Sequence, residues 1–372
     1  MKHINCEIKL ENRRSILKYI FTQGRTSRQE ISAALGLSMP TVLQNITELQ
    51  KLGMVSDGGY FESTGGRKAE KLACVACHRY SVGLDITKNH IALVLLNFTG
   101  EIEVSRREQL KFENTDTYYG QLAERVVEFV SENSVDSGKI LGIGISIPGM
   151  LSEDGNVIVD SHALGIADVP CGKIGNVMPW SCRFENDANA AGFAEIGRLS
   201  EKSTMVYLSL SNSVGGACFS DGVLQRGKNQ RAGEFGHMRI HSSGRECYCG
   251  QTGCLDSYCS ALRLAENGGG RLESFFEKLK NGDRECLKIW DTYLDDLALA
   301  VINLRMCYDC DVLVGGYVGA WMEPWIDELR GRVTQLNPFE SNSRFLQVCR
   351  YKREASAYGA ASRILDGYFS II

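Results

Sequence analysis

Long apolar runs are missing from this chain. No stretch reaches the ~18–20 residues that a bilayer-spanning helix needs, which excludes a membrane-spanning helix from the sequence reading. The amino end, Met-Lys-His-Ile-Asn-Cys-Glu-Ile-Lys, has no apolar signal-peptide core, and a cytoplasmic location is the expectation. There the 14 cysteines are expected as reduced thiols or metal ligands, not as disulfides. Proline is scarce, 6 among 372 residues, and no low-complexity tract occurs. With 44% hydrophobic and 23% charged residues the chain reads as a folded globular protein, long enough for two or three domains.

Net charge is also small, −4, but unevenly spread. Residues 1–80 hold 12 Lys+Arg against 7 Asp+Glu, whereas the remainder holds 29 against 38. A basic head on an acidic body is expected where only the head meets a polyanion. Within the head, Ile16, Leu17, Ile20 and Phe21 fall on one helical face up to Gly24. Ser27 and Glu30 form a capping box for a second helix that stops at Gly36. Ser38 can cap a third helix with Pro40 in its first turn, buried along Val42, Ile46, Leu49 and Leu52. Two short helices joined by Gly36-Leu37-Ser38 predict a helix-turn-helix, with Ser38, Met39, Thr41, Gln44 and Asn45 as candidate DNA contacts. A hairpin wing is expected from Met54 to Phe61, turning at Asp57-Gly58-Gly59. Then Ser63-Thr64-Gly65-Gly66-Arg67-Lys68 puts Arg67 and Lys68 on a flexible segment that can reach phosphate or a narrow minor groove. A small helical subdomain that binds protein is the plainer alternative; the charge asymmetry favours double-stranded DNA.

The second informative stretch is Ala232–Ser257. His237, Cys247, Cys249 and Cys254 follow the pattern His-x9-Cys-x-Cys-x4-Cys, with Gly250 and Gly253 inside the cysteine turn. Three cysteines and a histidine are the ligand set of a closed, tetrahedral structural zinc site. Glu234 and Asp256 flank these ligands, so a metal here can shape a binding site as well as a loop. Cys74-Val75-Ala76-Cys77-His78 matches a haem-attachment pattern, but that chemistry belongs to exported proteins, and a strand with incidental thiols is expected instead. Between and beyond these motifs, β-rich runs (Tyr80–Ile86, His90–Phe98, Leu141–Ile147, Met205–Leu210) alternate with helical ones (Tyr118–Glu132, 290–307, Ala355–Leu365), which argues for an α/β body. The same order of hairpin and helices in both halves suggests a duplicated, two-lobed body.

Taken together, Leu37-Ser38-Met39-Pro40-Thr41-Val42, Ser63-Thr64-Gly65-Gly66-Arg67, Gly142–Gly149, Glu185-Asn186-Asp187-Ala188-Asn189-Ala190-Ala191, Ala232–His237 and Cys247–Ser257 resemble the ROK family of repressors and sugar kinases. The resemblance implies an N-terminal winged helix-turn-helix (1–72) ahead of an actin-like, ribonuclease-H-like sugar-kinase fold in two lobes (73–190 and 191–372). It implies zinc on His237, Cys247, Cys249 and Cys254. It implies sugar contacts from Asn186, Asp187, Glu234, His237 and Asp256, with Gly149, Ser161 and His162 where sugar hydroxyls are approached in relatives. Asp256 stands where the family usually has Glu. Asn186-Asp187 alone would read as a helix cap.

The resemblance also marks departures. Kinase members carry Asp-x-Gly-Gly-Thr-Lys and Gly-Thr-Gly-x-Gly around the nucleotide's phosphates. Here these read Asp85-Ile86-Thr87-Lys88-Asn89-His90 and Ser211-Asn212-Ser213-Val214-Gly215. Added Cβ atoms narrow the space for phosphate, so Asp187 is expected as a vestigial base and the chain as no enzyme, although Gly315-Gly316 survives. Leu43-Gln44 replaces the Ser-Arg common in the family's recognition helices. The expectation is a sugar-responsive, dimeric or higher-order repressor of carbohydrate genes. An ATP-dependent glucose or N-acetylhexosamine kinase with a DNA-binding head is the alternative.

Overall fold

The structure, a computed structural model, describes residues 2–60, 70–197 and 203–372. Its head begins with α1 (Lys2–Gln23), longer than the apolar spacing predicts, with Ile16, Leu17 and Ile20 fully buried. α2 (Arg28–Leu35) opens with the expected capping box: Ser27 N–H donates to Glu30 Oε2 at 2.7 Å and Glu30 N–H to Ser27 Oγ at 3.2 Å. The Ser27 N–H, with the Thr26 hydroxyl at 2.9 Å, holds the Glu30 carboxyl below the usual carboxylate range. Gly36, at φ +64°, ends the helix in the left-handed conformation that glycine tolerates. α3 (Met39–Lys51) is capped by Ser38, with Pro40 in its first turn and Val42, Ile46 and Leu49 in the core, while Leu52, expected in the same stripe, is its C-cap and 48% exposed.

The wing differs from the expected hairpin. β1 (Val55–Tyr60) pairs antiparallel with β2 (Glu70–Cys74), so Asp57-Gly58-Gly59 stays inside a strand. The register slips between Asp57 and Tyr60, so this glycine pair serves an irregularity in the ladder, not a chain reversal. Phe61 and the segment carrying Arg67 and Lys68 lie outside the described residues. Cys74 is a buried strand residue as expected, while Cys77 is exposed in a short 3-10 turn.

The first lobe continues with β3 (Tyr80–Ile86), β4 (His90–Asn97), β5 (Ile102–Gln109), α4 (Asp116–Glu132) and β6 (Ile140–Ile147). A small antiparallel sheet follows, β7 (Met150–Leu151), β8 (Val157–Ser161) and β9 (Ile166–Pro170). Then come the single turn α5 (Gly172–Gly175), β10 (Cys182–Asn186) and α6 (Asp187–Ile196), an unbroken helix that runs through the expected lobe boundary at 190/191. The second lobe holds β11 (Met205–Leu210), β12 (Val214–Ser220), β13 (Val223–Leu224), the short helices α7 (Asp256–Cys259), α8 (Ala261–Asn267) and α9 (Leu272–Lys280), and the long α10 (Arg284–Tyr308). β14 (Asp311–Gly315), α11 (Gly316–Gly319), α12 (Ile326–Leu336), β15 (Leu346–Val348) and α13 (Ala355–Phe369) complete it.

The two main sheets have the same plan. The orders β5-β4-β3-β6-β10 and β13-β12-β11-β14-β15 each join an antiparallel meander to two parallel strands. The duplication suggested by the sequence is therefore real in topology. α13, however, packs back onto β3 and β6 of the first sheet and against α6. The approach is close enough that a Cβ on Gly359 would lie 1.6 Å from the Ala190 carbonyl oxygen, so only glycine fits that crossing. The head rests on the same helix, with the Phe21 and Phe98 rings 4.9 and 5.3 Å from that of Phe369. Among the described residues no helix is long and apolar enough to cross a membrane.

Candidate functional site

The cysteine stretch folds into the turn its glycines require. Gly250 and Gly253 stand at φ +82° and +80°, and a Cβ on Gly253 would lie 2.0 Å from the His241 carbonyl oxygen. The ligand atoms of His237, Cys247, Cys249 and Cys254 lie within 4.8 Å of one another. Cys249 Sγ and Cys254 Sγ are 3.8 Å apart, the edge of a tetrahedron with metal–sulfur bonds of about 2.3 Å. Cys247 Sγ lies 3.9 Å from His237 Nδ1. Donor set and spacing thus fit a tetrahedral metal ion.

Beside this loop, a cavity of about 380 Å³ brings Gly149, His162, Asn186, Asp187, Glu234 and His237 together. It adjoins a cleft of about 880 Å³ between the lobes, and Asp187, His162 and Tyr248 line both. Asp256 lines only the larger cleft. One of its oxygens accepts the Val214 N–H at 2.6 Å, so it ties the metal loop to β12. Ser161 is buried, donating its hydroxyl to the Pro148 carbonyl, and lines neither cavity. Gly149, at φ +133°, lets the chain pass the Asp160 carbonyl, which a Cβ would approach to 2.4 Å.

Asn186 does what the cap reading foresaw: Oδ1 accepts the Asn189 N–H at 2.9 Å while Nδ2 donates to the Gly149 carbonyl at 2.9 Å. It therefore fixes the cavity wall where β10 becomes α6. Asp187 opens α6, and its Oδ1 accepts the Ala188 N–H at 2.9 Å. Burial, then the facing Asp85 carboxyl, pushes Asp187 up to about 7. Asp85 rises to about 6 through burial, opposed by a 2.8 Å bond from Ser146 Oγ and by Arg107. Burial also raises Glu234, against the pull of His237 and Arg231.

The turns that replace the phosphate glycines are closed by side chains. Thr87 Oγ1 donates to the His90 carbonyl at 2.8 Å and accepts the His90 N–H at 3.2 Å. The surviving glycines serve packing: Gly316 N–H donates to the Tyr207 hydroxyl at 3.1 Å, and a Cβ on Gly315 would stand 2.2 Å from that oxygen. A backbone donor available to a phosphate in such turns is here satisfied by the protein itself.

Several of these residues were not visible in the sequence. Glu185, almost fully buried, receives Arg226 through two bonds of 3.1 and 2.6 Å and so joins β10 to the loop after β13 across the lobes. Tyr248 stacks on His162 with centroids 4.1 Å apart. Tyr207 and Arg226 lie far from their partners in sequence and carry no local signal; Tyr248 sits between two cysteines, a position that could have drawn notice.

In the head, Gln44 is exposed, Met39 and Thr41 are half-buried, and Ser38 is exposed while bonded to Thr41. Asn45 is a correction. It is 1% exposed, with Nδ2 donating to the Thr41 carbonyl at 2.9 Å, so it faces the core. Leu43, 44% exposed, shares the outward face with Gln44 and Thr47.

The ROK family model matches residues 81–366, and a winged helix-turn-helix DNA-binding model matches residues 9–56. The xylose repressor of Caldicellulosiruptor bescii is 25% identical over 388 residues, covering 98% of this chain and 97% of that one. The xylose repressor of Bacillus subtilis is 27% identical over 263 residues, covering 70% and 68%. A crystal structure of a ROK family transcriptional regulator, homologous to the Escherichia coli MLC protein, superposes with a TM-score of 0.76 at 18% identity, covering 98% of both chains. A ROK glucokinase from Streptomyces griseus, solved with glucose and AMPPNP, superposes with a TM-score of 0.65 at 20% identity over 76% of this chain and 98% of that one. With a duplicated two-lobed body matched over residues 81–366 and a winged helix-turn-helix ahead of it, the chain belongs to the ROK family.

Proposed function

We propose that this protein is a sugar-responsive transcriptional repressor of carbohydrate uptake or catabolism genes. The observation that carries the reading is the joining of a DNA-binding head to a cleft where Thr87 closes the first turn that lacks the phosphate glycines and the Tyr207 hydroxyl takes up the Gly316 N–H. The head would bind operator DNA as a dimer, with half-sites a helical turn or a multiple of one apart. Ser38, Thr41, Gln44 and the outward Leu43 would meet bases or phosphates, and Arg67 and Lys68 the backbone or minor groove. The sugar would enter the smaller cavity, where Asp187 and Glu234 accept hydrogen bonds from its hydroxyls and His237 faces it. Zinc would sit on His237, Cys247, Cys249 and Cys254, holding the loop that carries Glu234 and Asp256. Such a repressor works where the chromosome is, in the cytoplasm. The relatives named as xylose repressors support a sugar effector of this class.

Effector binding alters DNA affinity only by favouring one of two states of the lobes and head. Gel mobility shift of DNA from the gene's own upstream region, with and without a panel of D-xylose, D-glucose, N-acetyl-D-glucosamine and N-acetyl-D-mannosamine, tests this. A sugar-dependent shift is expected; no shift in any condition sinks the reading. One observation favours a second reading, an ATP-dependent sugar kinase: Asp187 is held near 7, where a general base works. Sugar-dependent ADP release that Asp187→Ala abolishes would establish it.

A further inference from the structure

His237 turns its two ring nitrogens toward different surroundings. Nδ1 faces Cys247 Sγ, and Nε2 lies 3.1 Å from the Tyr248 hydroxyl. A metal on Nδ1 leaves the proton on Nε2, so this nitrogen donates and the phenol oxygen accepts. His237 and Tyr248 both line the small cavity, whose other polar walls include the carboxylates of Asp160, Asp187 and Glu234. Those carboxylates suit a ligand rich in hydroxyl donors, and they disfavour an anionic one.

Tyr248 holds this position by side-chain contacts alone. Its ring lies flat on His162, 8° from parallel, and edge-on to His237 at 5.2 Å. The residue is 46% exposed, so rotating its side chain away opens the site without repacking the core. Because His162 and Tyr248 line both the small cavity and the interlobe cleft, their stack forms the partition between the two.

We propose that Tyr248 is a displaceable stand-in for an effector hydroxyl and, with His162, the residue pair that decides which uncharged sugars enter. The phenol oxygen satisfies His237 when the cavity is empty; an entering sugar takes over that bond and pushes the ring off its stack. This rests on the sugar-effector reading above. Since Tyr248 lies between two of the candidate metal ligands, its departure is also felt directly by the metal loop.

Calorimetry on the full, zinc-loaded chain tests it, using D-xylose, D-glucose and N-acetyl-D-glucosamine with wild type, Tyr248→Phe and Tyr248→Ala. Tyr248→Phe keeps the ring and removes only the competing hydroxyl, so the sugar that wild type prefers should bind roughly 3- to 10-fold tighter, the effect of one neutral hydrogen bond. Zinc content should be unchanged. Tyr248→Ala removes the partition and should move the ranking toward the bulkier N-acetyl sugar. Equal or weaker binding by Tyr248→Phe overturns the inference, and an unchanged ranking in Tyr248→Ala removes the partition role. If wild type binds a sugar and releases or recruits DNA but Tyr248→Phe does not tighten, only this inference falls. If no variant binds any sugar, the sugar-effector reading falls with it.

Discussion

Replacing Asp187 by Asn offers a quantitative test of the cleft's electrostatics. Asp187 is buried, faces Asp85 and is held near 7, against an ordinary value of 3.8. Its folded form binds a proton more tightly than its unfolded form, so the stability it contributes is full below about 4 and is lost as pH rises toward 7. Between pH 6 and 8 the unfolded carboxyl is ionised throughout, while the folded one passes through its midpoint. Integrating proton release over that window gives about 1.4 kcal/mol of stability lost by wild type. Asp187→Asn has no such proton. Its amide oxygen can still accept the Ala188 N–H, and its amide N–H₂ can face the Asp85 carboxylate. The metal site imposes its own pH dependence, in the opposite direction because its ligands must be deprotonated, but it is common to both proteins and cancels in their difference. Thermal or urea unfolding of both at pH 6, 7 and 8 should therefore show the variant's advantage growing by about 1.4 kcal/mol across the series. Parallel pH curves would refute the reasoning, because they would mean that Asp187 ionises freely in the folded protein.

Further outcomes can be checked with similar economy. Cys249→Ser should lose bound zinc, measured by plasma mass spectrometry, and with it the sugar response in a mobility shift; zinc lost with an intact response would place the metal loop outside the coupling. Arg226→Met leaves the buried Glu185 carboxylate with only the Asn186 N–H and the Asn189 amide and should cost about 1–3 kcal/mol in unfolding experiments, whereas pairing it with Glu185→Gln should recover much of the loss. Phe369→Ala removes the ring on which Phe21 and Phe98 rest and should cost about 3–5 kcal/mol. In mobility shifts it should weaken the sugar dependence more than the DNA binding itself. Gln44→Ala should weaken operator binding by about 1–3 kcal/mol while leaving non-specific binding unchanged.

What the sequence disclosed depended on how local the physics was. The Ser27–Glu30 box, the Gly36 stop and the Ser38 cap are each decided within four residues, and all are present. The metal cluster was legible for the same reason, its cysteines falling inside one short turn. Gly58-Gly59 misled because a glycine pair suits a strand irregularity as well as a reversal. Asn45 misled differently. Its polarity argued for the outer face, but positions 42, 45, 46 and 49 share one helical stripe, and spacing prevailed over polarity. The Glu185–Arg226 bridge and the Tyr207 hydroxyl under Gly316 join residues 41 and 109 positions apart, and nothing local announces them. Neither did the sequence disclose that the final helix, reckoned with the second lobe, lies on the first sheet.

That final helix has a mechanical consequence. α13 begins beside the cleft, where Ser356 Oγ donates to the Asp187 carbonyl at 3.1 Å, and ends under the head at Phe369. Fifteen residues of α-helix make a rod of about 22 Å. Tilting such a rod by about 5° about Gly359, about 15 Å from Phe369, would carry the far end about 1.3 Å, within the scale of helix shift that switches packed interfaces between discrete arrangements. Gly359, locked against Ala190, lies one turn from the cleft end and can serve as the fulcrum. One unbroken helix thus spans from the Asp187 carbonyl to the ring beneath the head, so a shift of its cleft end would reach α1 through packed side chains and through no loop.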